Sequence, residues 1–143
     1  MKRYDPRQTP VTEEWLAQPD AARFKLVRRA HRLLNKKKIN IDVHAVLHVI
    51  VENQIALIDP PETAVAVERM VSEGLDRHDA LHAAALIVAR HLPDDDDLTA
   101  DRMDEALNQA LASDMAELNR TVYEQLVAEA KEALDRRGLD QTV

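Results

Sequence analysis

Two glycines in 143 residues constrain this chain more than any other feature. Tight hairpin turns need positive backbone φ, which glycine or an Asn-Gly pair supplies, so a many-stranded β fold is close to excluded. Against those two glycines stand 21 alanines, the strongest helix formers. The expected architecture is therefore all-α, a helical bundle of four or five helices with a long C-terminal helical extension. The length suits one core, and 45% hydrophobic with 31% charged residues is an ordinary globular balance.

The chain divides into three parts. Residues 1–19 read as an N-terminal arm, with Pro6, Pro10 and Pro19, one helical turn at Thr12–Ala17 capped by Thr12, and Trp15 pinning the arm to the body. Residues 20–93 form the helical core. A first helix over 21–36, capped by Asp20, turns Phe24, Val27, His31 and Leu34 inward; Lys25, Arg28, Arg29, Arg32 and Lys36–Lys38 form its basic outer side. A second, over 42–58 and capped by Asn40 or Asp42, is apolar in nearly every direction, as a central buried helix is. Asp59-Pro60-Pro61 ends it and opens a third helix over 62–73, with Gly74 as C-cap. Asp76 caps a fourth over 77–92, closed by Pro93. Residues 94–143 are the C-terminal helical segment. Its stripe runs through Met103, Leu107, Leu111, Met115, Leu118, Val122, Leu126, Ala130 and Leu134. One helix of that length would span about 55 Å. It either breaks near Ser113-Asp114 or projects and pairs with a second copy; pairing, and hence a dimer or other homo-oligomer, is the favoured expectation.

Several classes drop out. The absence of cysteine removes disulfides, thiolate zinc sites, iron–sulfur clusters and cysteine nucleophiles. A net charge of −7 weighs against a general nucleic-acid binder. No apolar stretch is long enough for a membrane span and no signal peptide is visible, so a cytoplasmic, soluble protein is expected. No glycine-rich phosphate loop exists, and Ser72 and Ser113 lack a nucleophile elbow. Asp94–Asp97 reads as an exposed acidic loop rather than a hard-cation site, lacking the spacing and glycine turn of a calcium loop.

Chemistry concentrates in the histidines. Four of the six fall in two His-x-x-x-His pairs, His44/His48 and His78/His82, where chance predicts roughly a quarter of one such pair. Residues four apart share a helix face, so each pair can aim two imidazole nitrogens at one ion. Glu52 lies one turn beyond His48. The carboxylate and two imidazoles on a buried helix need partners, and that helix carries no Lys or Arg. A divalent transition metal held between the second and fourth helices by His44, His48, Glu52, His78 and His82 would satisfy all five. The imidazoles suit Zn, Fe, Ni or Cu, and the carboxylate shifts the balance towards Fe, Mn or Zn. The alternative is a polar core network. His31 reads as plain core before ligand or neighbour of a ligand, His91 as a cation at a helix C-terminus, and Asp79 and Gln54 as residues that orient an imidazole or a bound water.

The run His44-x3-His48-x3-Glu52-Asn53-Gln54, then Asp59-Pro60-Pro61, then His78-Asp79-x2-His82 resembles a family of small bacterial helical proteins, the domain of unknown function 1841. The resemblance covers residues 40–92. The family pattern has Glu where this chain has Asn53 and Asp79. It implies a small helical protein and carries no activity with it. Three functional readings follow: a metal-binding helical protein, catalytic or not; a non-catalytic interaction or assembly module with structural or pH-responsive histidines; and a phosphohydrolase of the HD class, similar only in the His78-Asp79 dipeptide.

Overall fold

A computed structural model describes residues 1–34, 41–92 and 105–141. The described residues form seven helices and no strand: α1 (Thr12–Ala17), α2 (Asp20–Leu34), α3 (Ile41–Leu57), α4 (Pro61–Ser72), α5 (Arg77–His91), α6 (Glu105–Glu117) and α7 (Arg120–Gln141). The all-α expectation holds. Lys36–Lys38, the proposed Asn40 cap, Pro93, the acidic run Asp94–Asp97 and Met103 lie outside the described residues.

Helix α3 is apolar all round because it separates two apolar clusters. On one side Ile50 and Val51 join Met70 of α4, Leu81, Ala84 and Val88 of α5, and Leu111 and Met115 of α6. On the other, Ala45 and Val49 meet Val27 of α2, Trp15 of α1 and Tyr4 of the arm. The buried alanines of α5, Ala80, Ala83 and Ala84, let neighbouring helices come close. Each large side chain fully buried here is worth about 1.5–3 kcal/mol relative to exposure.

The helix ends follow local chemistry. Gly74 has φ 102°. Its N–H reaches the Val71 carbonyl and that of Leu75 the Met70 carbonyl, the paired bonds of a Schellman stop. Ile58 makes the same stop for α3, with its N–H on Ile55 and that of Asp59 on Gln54. Its φ of 53° is a conformation that a β-branched residue adopts at a cost of about 1–2 kcal/mol. Pro61 opens α4, and the Asp76 carboxylate accepts the His78 N–H at 2.7 Å. Three expected caps differ. Val11, not Thr12, precedes α1, without a side-chain cap. Asp20 is the first residue of α2 rather than its cap, and its carboxylate meets Arg23 at 3.2 Å. Asp42 lies inside the first turn of α3, where its carboxylate meets Arg28 at 3.0 Å.

The C-terminal segment is neither one continuous helix nor broken at Ser113-Asp114. The break falls at Leu118-Asn119, where the Asn119 side chain accepts the Val122 N–H at 2.9 Å. The helix restarts because Asn competes well as a local cap. The early part of the stripe is covered by its own chain: Leu111, Met115 and Leu118 are fully buried in the main core. Val122, Tyr123 and Leu126 pack on its edge, and α7 is exposed from Val127 through Ala130, Lys131 and Glu132. Among the described residues no single helix is long and apolar enough to cross a membrane.

Candidate metal centre

Three helices bring five imidazoles to one point: His31 from α2, His44 and His48 from α3, His78 and His82 from α5. One donor nitrogen from each lies within 4.8 Å of all the others. His48 and His31 are buried; His44, His78 and His82 are half-buried. No carboxylate belongs to this group among the described residues.

The hydrogen bonds define which nitrogens are available. His31 Nδ1–H donates to the Val27 carbonyl one turn earlier, at 2.8 Å, which leaves Nε2 to carry the lone pair. That Nε2 lies 3.1 Å from His78 Nε2, and His82 Nε2 lies 3.1 Å from His44 Nε2. Both nitrogens of His48 are buried with no hydrogen-bond partner. A buried polar atom without a partner costs about 1–3 kcal/mol.

The site disfavours positive charge on its own rings. Burial, then the fields of His31 and His78, hold the His44 pKa down to about 4. Burial, then His78, His44 and His31, hold His82 down to about 3. His48, the most enclosed, is lowered furthest, chiefly by burial. Burial also lowers His31, against its bond to Val27, and His78, against the carboxylates of Asp76 and Asp79. The rings are therefore neutral at pH 7, the state in which imidazole ligates a metal.

The structure gathers the four histidines of the two pairs, adds His31, and leaves Glu52 out. Glu52 is buried, but its oxygens are taken: Arg77 donates to Oε1 at 2.8 Å and to Oε2 at 3.1 Å, and the Tyr4 hydroxyl donates to Oε2. The counter-charge missing from α3 comes from α5. The Gln54 Oε1 accepts the Thr63 hydroxyl of α4 at 2.8 Å. Asp79 is exposed and sits outside the donor group, acting on His78 through its field. Asn53 accepts Trp15 Nε1 and Arg23 Nη1, both at 3.0 Å, and so ties α1 and α2 to α3. His91 meets Asp114 of α6 at 2.7 Å, away from the cluster. His31 has no four-residue partner to flag it in the sequence. Its one signal is a position on the inward stripe of the helix that packs against α3.

No family model matches the chain, and no curated protein or solved structure matches it.

Proposed function

We propose that this protein binds one divalent transition-metal ion through His31, His44, His48, His78 and His82. The observation that carries the reading is His48: both its nitrogens are buried and unpartnered, and four other neutral imidazoles lie against its ring. A hydrogen-bonded core network accounts for the His31–His78 and His44–His82 contacts. It leaves both His48 nitrogens unsatisfied, and an ion would take one of them.

The donor set bears on the metal. Bonds of about 2.0–2.1 Å put opposite ligands about 4.2 Å apart, so a spread of 4.8 Å closes on a single ion with shifts of a few tenths of an ångström. Five imidazoles without a carboxylate favour Zn, Fe, Ni or Cu and remove the argument for Mn. His31 Nδ1–H on the Val27 carbonyl is the outer bond that ligating histidines use to fix ring orientation. A metal-binding role, structural or catalytic, is the function proposed.

Titration of chelator-stripped, untagged protein with Zn(II), Ni(II) or anaerobic Fe(II), read by calorimetry and elemental analysis, tests it. The expected result is one ion per chain, lost in the His44→Ala/His48→Ala double variant. A folded protein that takes up none of these metals overturns the reading.

A further inference from the structure

The five rings are not evenly arranged. His31, His44, His82 and His78 follow one another around a quadrilateral, with ring centroids 4.5, 4.8, 4.2 and 5.1 Å apart along its sides. The diagonal from His31 to His82 is longer, at 6.3 Å. His48 sits over this base, 4.3 to 5.4 Å from all four of its rings. On two opposite sides of the base, Nε2 to Nε2 is 3.1 Å. Neighbouring donors around a square base lie about 3.0 Å apart for ordinary metal–nitrogen bonds, against about 3.4 Å in a tetrahedron. With His31 and His82 at opposite corners, these distances fit a square pyramid with His48 at its apex, five corners of an octahedron.

The sixth corner is opposite His48. His48 is fully buried, while His44, His78 and His82 of the base are half-buried, so that corner lies on the side of the site nearer solvent. Charge says what suits it. Five neutral imidazoles supply no ligand charge against the ion's two in a largely buried site, where Asp76 and Asp79 act only through their fields on His78. The donor group offers no carboxylate, and Glu52, one turn along α3, is already neutralised by Arg77.

We propose that the ion keeps a sixth coordination position opposite His48 that binds a small monodentate anion. This rests on the reading that the five histidines hold one ion. It adds exchangeable chemistry to what would otherwise be a closed structural site, which keeps no such position.

The test uses the full chain loaded with Co(II), whose visible absorption is intense in four-coordinate sites, weaker in five-coordinate ones and weakest in six-coordinate ones. Sodium azide is the probe. The expected result is a five-coordinate spectrum whose visible ligand-field bands weaken severalfold, saturating at one azide per cobalt, with no cobalt lost on dialysis. An intense four-coordinate spectrum, or any spectrum that azide leaves unchanged, overturns the open position while leaving metal binding intact. Failure to take up cobalt along with Zn(II), Ni(II) and Fe(II) overturns both.

Discussion

Glu52 and His48 stand one turn apart on α3 and are equally enclosed, at 2% and 0% exposure, yet they solve burial in opposite ways. Glu52 is completed from within the chain. Arg77 supplies the counter-charge, Tyr4 a hydroxyl, and Arg77 also donates to the Pro6 and Gln8 carbonyls at 3.0 and 3.2 Å, so the group stitches the arm to α3 and α5. His48 is completed by nothing in the described chain and is ringed by groups as electron-rich as itself. A satisfied buried cluster is architecture. An unsatisfied one, with ring nitrogens gathered within 4.8 Å of one another, asks for something from outside.

The largest expected effect comes from breaking the satisfied group. Arg77→Met leaves the Glu52 carboxylate buried and unpaired, and equilibrium denaturation of the metal-free protein should record a loss of about 3–5 kcal/mol. The double variant with Glu52→Gln should recover most of it. His48→Leu in the same metal-free protein should cost less than about 1 kcal/mol, because it deletes orphaned nitrogens and keeps the volume. A large loss from His48→Leu together with a small one from Arg77→Met would reverse the contrast.

Metal addition reverses the ranking of the two clusters. With free metal at a hundred times its Kd, thermal unfolding should report about 2.7 kcal/mol of added stability. His48→Ala should abolish most of that gain; Glu52→Gln made together with Arg77→Met should not.

The same contrast marks how far the sequence can be read. Glycine scarcity, prolines and helical periodicity are enough for the helices and for the centrality of α3, because those signals are local. The two His-x-x-x-His pairs are legible for the same reason. The role of Glu52 is not, because its partner, Arg77, is 25 residues away on another helix. His31 is hidden in the same way, because the histidines it joins are 13 or more residues away. The break at Leu118-Asn119 escapes periodicity because an Asn cap inside an unbroken apolar stripe carries no Gly or Pro. Side-chain pairing across helices is a property of tertiary packing, and local pattern does not encode it.

Acid should separate the clusters next. The histidine pKa values are depressed in the folded chain, to about 4 for His44 and about 3 for His82, against 6.5 unfolded. Below 6.5 the unfolded state binds protons that the folded state refuses. Stability is therefore full above that pH and falls as pH drops towards 4 and 3. Discounted for the partial exposure of three rings, the metal-free protein should lose on the order of 2 kcal/mol between pH 7 and 5.5. A variant with His44, His48 and His82 changed to Leu should flatten that slope in denaturation series. An unchanged slope would mean that the rings are not the groups that resist protonation.

The smallest effect is the most specific. Tyr4→Phe keeps the ring that lies 5.5 Å from Trp15 and removes only the hydroxyl on Glu52. A hydrogen bond to a charged group is worth about 1.5–3 kcal/mol, and Arg77 still neutralises Glu52, so the loss should sit near the lower end. Burial, then Glu52, pushes the Tyr4 pKa well up, so the hydroxyl stays protonated and the bond persists through the neutral range. Metal affinity should be unchanged, because Tyr4 and Glu52 belong to the satisfied cluster and contribute no donor. A weakened affinity in Tyr4→Phe, measured by the same titration, would show that the arm and the histidine site are energetically one unit, and that the division between the two buried groups on α3 is drawn in the wrong place.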